Sequence, residues 1–251
     1  MAIDNTILER VKRPIEDNMS IIPRITPVIY FGNYDCAKAC TISINPSDRE
    51  FRNAKGELLE NGKERLCSRK MLNIADNEEL SDADAEKVIS YCKKYFHNNP
   101  YKSWFNPFDY FIRQFGYSYY EKSGYDTCVH LDLVQWATDK WSDIPKDIKD
   151  KHLEKDLPIL KHLLNKRDFK IMFLNGKTVI ENVEQYLLEP LNIKLEKKLA
   201  SFRKNGDLKV YFGKYNEIDI VGWNLVLGRI GGNEDIKRLY GIINQQLETE
   251  K

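Results

Sequence analysis

The residues in this sequence best able to do chemistry are polar ones that close apolar runs. Asn45-Pro46-Ser47 follows the run Ala39–Ile44, Gln135–Asp139 stands at the end of Val129–Trp136, Asn175-Gly176 follows Ile171–Leu174, and Gly222-Trp223-Asn224 closes Ile218–Trp223. In open α/β sheets the active site gathers at the carboxyl ends of the strands, so these exits are where side chains would meet a ligand. His130 suits proton donation or a hold on water, common uses of an imidazole, or it is a histidine satisfied inside the fold. Lys63, Arg65, Arg69 and Lys70 are the best local candidates for phosphate contacts after the first exit, or else a solvated face. Arg229-Ile230-Gly231-Gly232 opens onto a helix capped by Asn233, a geometry that lets a phosphate approach backbone N–H groups, or an ordinary glycine turn.

The elements that must position these groups read as an alternation. Val28–Phe31, Ala39–Ile44, Val129–Trp136, Ile171–Leu174, Val210–Phe212 and Ile218–Trp223 are short apolar strands. Between them, Val88, Tyr91, Cys92, Tyr95 and Phe96 recur at helical spacing behind a Ser81 cap, as do Leu153, Leu157, Leu160 and Leu164, then Val179, Val183, Tyr186 and Leu187. Ile236, Leu239, Tyr240, Ile243 and Leu247 mark a last helix, with Glu234 and Asp235 in its first turn. Little hairpin signal separates the strands, so the expected architecture is a three-layer α/β/α sandwich with a mostly parallel central sheet. Residues 1–251 are expected to form a single domain with its core at about 26–245, with Asn53–Gly62 and Lys194–Lys209 as surface excursions.

Composition narrows the function. Thirty-nine basic residues against 38 acidic ones leave a formal charge of +1, so nucleic acid would be met through a local patch, if at all. Five cysteines with no CxxC spacing give neither a disulfide framework nor a metal ligand set. No Gly-x-Ser-x-Gly elbow, Walker loop or dinucleotide fingerprint is present, and no cofactor is expected. The charged opening stretch Met1–Asp17 is unlike a secretory leader and no apolar run is long enough to cross a bilayer, so a cytoplasmic monomer without membrane contact is expected. Tyr95–Tyr125 holds 13 of the chain's 29 aromatic rings, either a satellite core or a wall for stacking a flat base.

The segments Thr26-Pro27-Val28-Ile29-Tyr30-Phe31-Gly32-Asn33, Thr41–Ser47, Asn45-Pro46-Ser47-Asp48-Arg49-Glu50-Phe51, His130–Asp139, Asn175-Gly176 and Gly222-Trp223-Asn224 together resemble the uracil-DNA glycosylase superfamily. More narrowly they resemble a bacterial branch whose first motif reads Asn-Pro-Ser. The resemblance implies a DNA glycosylase of that fold, a repair hydrolase that everts a base and cuts its N-glycosidic bond, with DNA as partner; the alternative is a fold relative that binds nucleic acid or a nucleotide without cleaving it. It implies that Asn45 positions the attacking water and that Pro46 and Ser47 shape the pocket rim, while Asp48 or Glu50 could assist from the same turn or simply be solvated acids. Phe51, or a ring of the aromatic cluster, would stack on the base. The family's base-reading Asn is replaced by Asp132, whose ionised carboxylate offers acceptors only and so suits a base with an amino group, unless burial keeps the acid protonated or Asp132 serves a structural ion pair or loop hydrogen bond. The family's last motif contributes a histidine to the leaving base; this chain has none after His162, and Asn224 stands there as a neutral donor. Arg65, Arg69, Lys70 and Arg229 would meet DNA phosphates.

Overall fold

The computed structural model describes residues 4–191, 193–200, 208–227 and 233–249. Within them the chain divides into two compact units, Met1–Cys36 with Ile44–Lys102 and Val129–Lys166, and Ala37–Ser43 with Ser103–Cys128 and Arg167–Lys251.

The second unit is built on a sheet. Its strands are β1 (Ala39–Ser43), β2 (Tyr117–Ser118), β3 (Asp126–Asp132, of which the opening residues lie in this unit), β4 (Ile171–Asn175), β5 (Glu196–Ala200), β6 (Leu208–Tyr215) and β7 (Ile218–Trp223), in the order β2-β3-β1-β4-β7-β6-β5. β2 runs parallel to β3, β1 to β4 and β4 to β7, whereas β6 and β5 are antiparallel. The fold is therefore α/β with a mostly parallel sheet and an antiparallel edge. That edge begins with a hairpin the sequence reading did not anticipate: Tyr215 and Ile218 are paired across Asn216-Glu217, with Asn216 at φ 53°, a left-handed conformation that asparagine tolerates.

β4 is buried along its whole length, which is what strands covered on both faces require. On one face, Phe173 packs with Phe111 of α4 (Lys102–Ile112), with Phe115 and with Trp223, while Phe115 also meets Tyr240 of α7 (Asn233–Thr249). On the other, Leu174 and Gly222 lie side by side in register beneath Ile180 of α6 (Lys177–Val183). A β-carbon on Gly222 would sit 3.1 Å from Ile180 Cγ1 and 3.2 Å from Leu174 Cβ, so the glycine sets how closely α6 approaches the sheet. The aromatic concentration in this unit is thus mainly core, each ring pair adding about 0.5–1.5 kcal/mol beyond its buried area.

The first unit is mainly helical, with α1 (Asn5–Lys12), the short α2 (Arg69–Leu72), α3 (Asp82–Lys93) and α5 (Lys146–Lys166). Asp4 caps α1 by accepting from Thr6 N, and Ser81 caps α3 by accepting from Asp84 N. Leu153, Leu157, Leu160 and Leu164 form the buried stripe of α5 that their spacing demands. Val28–Phe31, expected as a strand, has no ladder partner beyond one bridge from Phe31 to His130. β3 ends at Asp132, so Leu133–Trp136 runs on as a buried, bent loop. Cys40, Cys67, Cys92 and Cys128 are buried thiols, and Cys36 is exposed; none is in a disulfide.

Candidate functional site

In the first unit, the residue after Ile44 is turned by hydrogen bonds. The Asn45 amide nitrogen donates to Thr138 Oγ1 at 2.9 Å, with Pro46 O at 3.2 Å and Trp136 O at 3.4 Å. Thr138 passes its own hydroxyl proton to Asp139 O, which leaves its oxygen to accept. With the nitrogen committed, the Asn45 carbonyl oxygen is the end of the amide left for an incoming donor such as water. Pro46 is buried and Ser47 exposed; Ser47 caps a single turn of 3-10 helix, Asp48–Glu50, by accepting from Arg49 N. That turn sends its acids different ways. Asp48 stays half-buried beside the Ser47 hydroxyl, while Glu50 is only 2% exposed.

Glu50 does not sit in water as most acids do. The Tyr95 hydroxyl donates to Glu50 Oε2 at 2.5 Å, and accepts in turn from Tyr101 N–H at 2.8 Å. Burial pushes the Glu50 carboxyl up to about 8; the Tyr95 bond and the positive Arg65 pull against this, and the negative charge of Asp132 adds to it. The same burial and the Glu50 charge hold the Tyr95 phenol well above its ordinary range. Phe31 meets Tyr95 edge-to-face at 4.8 Å and tilts over the His130 ring at 5.4 Å, so one wall runs from Glu50 to His130.

At the end of that wall lies Asp132, 3% exposed. Its Oδ1 is 3.5 Å from His130 Nε2, an ion-pair separation, yet neither carboxyl oxygen has a hydrogen-bond partner. Polar atoms shut away from water nearly always have one, because leaving them bare costs about 1–3 kcal/mol and more when charged. Gln135 approaches from the following loop but spends its Nε2 on the backbone oxygens of Asp132 and Asp156, both at 3.4 Å. Asn45, Glu50, His130 and Asp132 thus all belong to one unit, and the acids bracket a chain of rings.

The basic residues behave differently from what their exposure in sequence suggests. Arg69, expected at a phosphate, is wholly buried: its guanidinium donates to Ala75 O at 2.8 Å, Glu78 O at 2.7 Å and Arg13 O at 2.9 Å, a clamp between the loop after α2 and the end of α1 that turns it away from any phosphate. Arg65 is half-buried, lies 5.3 Å over the Tyr101 ring and acts electrostatically on Glu50, so its charge is directed at the acids. Lys70 is exposed and paired with Glu60. Arg229 lies outside the described residues, as does the glycine turn after it. Phe51 is buried as part of the core, not offered to solvent as a stacking ring.

The second unit holds the other strand exits, and each is occupied by structural work. Asn175 Oδ1 accepts from Trp223 Nε1 at 3.0 Å and from Leu227 N at 3.1 Å. Asn224 accepts from Lys209 N at 2.9 Å through its side chain while its own N–H donates to Lys209 O, tying the end of β7 to β6. Sequence reading did not single out Tyr95 as the partner of Glu50; the signal was a tyrosine closing the apolar period that begins in α3 and, in the structure, lying just past its end. Among the described residues no cluster of His, Cys, Asp and Glu is arranged to hold a metal, and no helix is long and apolar enough to cross a membrane. Compared with known proteins, the chain matches no family model and no curated protein.

Proposed function

We propose that this protein is a DNA glycosylase of the uracil-DNA glycosylase-like three-layer fold, hydrolysing the N-glycosidic bond of an everted base whose read edge presents N–H donors. The observation that carries the reading is the buried Asp132 carboxyl with both oxygens unpartnered, since a group that costs the fold stability is expected where a ligand completes it. A base edge with an amino group, as in cytosine or a modified cytosine, supplies the missing donors. Each oxygen is sealed from water, so the base reaches Asp132 only as neighbouring side chains move aside, in keeping with a pocket completed by base eversion.

The reaction asks little covalent chemistry of the protein. The Asn45 carbonyl oxygen orients a water; its oxygen bonds to C1′ of the sugar, the C1′–N bond breaks, the electron pair leaves with the base and the spare water proton passes to solvent. Holding that water in line is the contribution of the clamped amide. This reading implies a cytoplasmic protein with DNA as its partner.

The test is an oligonucleotide panel carrying uracil, hypoxanthine, cytosine and modified cytosines, treated with alkali after incubation. Breaks are expected at amino-bearing bases, with uracil a poor substrate, and are expected to vanish with Asn45→Ala. No break at any base would refute the reading. The alternative, binding without cleavage, is favoured by one observation: Asn224, which stands in for a leaving-group histidine, has its side-chain oxygen tied to Lys209. Salt-sensitive oligonucleotide binding without release of any base would establish it.

A further inference from the structure

We propose that Glu50 is the general acid that protonates the departing base, a role that rests on the glycosylase reading and fills the place left by the missing histidine. Glu50 is the fifth residue after Asn45, on the turn capped by Ser47, so water and acid would be delivered by one strand exit. Its side chain is 2% exposed and fixed through Tyr95, whose hydroxyl is itself oriented by Tyr101 N–H. Three groups face it electrostatically: Tyr95 from the turn after α3, Arg65 from the loop before α2, and Asp132 from the end of β3. Burial and the Asp132 charge outweigh Arg65 and Tyr95, and the carboxyl holds its proton at neutral pH, titrating at about 8. An acid poised near the working pH is what leaving-group protonation needs.

The step balances. The C1′–N bond breaks and its electron pair goes to the base nitrogen; the Glu50 proton passes to the base; the water oxygen bonds to C1′ and sheds a proton; and solvent returns a proton to Glu50. The neutral base leaves with Asp132 accepting from its N–H groups, so one carboxyl gives a proton while the other receives hydrogen bonds.

Single-turnover excision across pH tests this. For a neutral base, the wild-type rate is expected to fall about tenfold per pH unit above pH 8, where Glu50 loses its proton. Glu50→Gln is expected to slow release by roughly 10²–10⁴-fold and to abolish that limb. For a cationic N7-methylated purine, which departs neutral without any proton, Glu50→Gln is expected to stay within a few-fold of wild type. Glu50→Gln at full rate on a neutral base, or equal loss on neutral and cationic bases, overturns the assignment and leaves the glycosylase reading standing. If Glu50→Gln does not fold, the wild-type profile decides, because a rate level through pH 9 overturns it too. Release of no base by the wild type removes both.

Discussion

Two buried aspartates of the first unit, Asp132 at the end of β3 and Asp156 within α5, are treated in opposite ways. Asp156 Oδ1 takes both Arg10 Nη2 at 2.7 Å and Nε at 3.0 Å, Oδ2 takes Gln135 N–H at 2.8 Å, and the guanidinium lies 5.2 Å over the Trp136 ring. Asp132, at the end of β3, has a histidine at ion-pair distance and no hydrogen bond on either oxygen. Gln135 touches both residues, giving its backbone N–H to the carboxylate of one and its side-chain amide to the main chain of the other. A fold able to satisfy both oxygens of Asp156 leaves those of Asp132, on the other side of Gln135, without a hydrogen bond. The contrast separates a carboxylate whose partners the fold supplies from one whose hydrogen-bond partners it does not.

That contrast is broken most directly by removing each carboxylate. Asp156→Ala strands the buried Arg10 charge and is expected to cost about 3–5 kcal/mol in urea unfolding. Close behind, Asn45→Ala is expected to lower excision by roughly 10²–10³-fold, about 2.7–4 kcal/mol of barrier, with less than about 1 kcal/mol change in unfolding free energy. Glu50 gives a third effect, in pH. Its carboxyl titrates at about 8 when folded against 4.5 as the ordinary value, so the folded state binds the proton more tightly. The stability this contributes is full below pH 4.5, is lost as pH rises toward 8, and is flat beyond; the slope is on the order of 1 kcal/mol per pH unit, and Glu50→Gln should remove it from urea titrations run across that window. The smallest effect sharpens the comparison best. Asp132→Asn is expected to leave stability unchanged or raise it by up to about 1 kcal/mol while erasing preference for amino-bearing bases; a loss as large as that of Asp156→Ala would make the two aspartates alike.

Much of the sheet was legible because its strands are short apolar runs: β1, β4 and β7 lie within a residue of their expected spans, and α5 and α7 follow their stripes, whereas α3 stops at Lys93, short of the expected Tyr95 and Phe96. α4 was hidden because its rings read as composition, with Pro107 inside the helix, and not as a period. The β6–β7 hairpin was hidden because its turn uses Asn216-Glu217 in place of a glycine pair. In the candidate site, the positions of Asn45 and Asp132 beside strand ends were legible. The burial of Glu50 was not, since its partner Tyr95 lies 45 residues on. Arg69 misled for the same reason: three carbonyls, the farthest 56 residues away in sequence, turn a member of a basic run into a buried clamp. Periodicity reports local faces, whereas long-range polar satisfaction depends on which loops the fold brings together.

The cysteines turn the two compact units into separately readable clocks. Burial pushes the Cys67 thiol up to about 12 and Cys92 up to about 11, and raises Cys40 and Cys128 further, so none forms a thiolate while folded. Cys67 and Cys92 lie in one unit and Cys40 and Cys128 in the other. After Cys36 has reacted, the rate at which alkylating reagent captures each remaining sulfur measures how often its own surroundings open, and mass spectrometry can follow the pairs independently in a single unmodified sample.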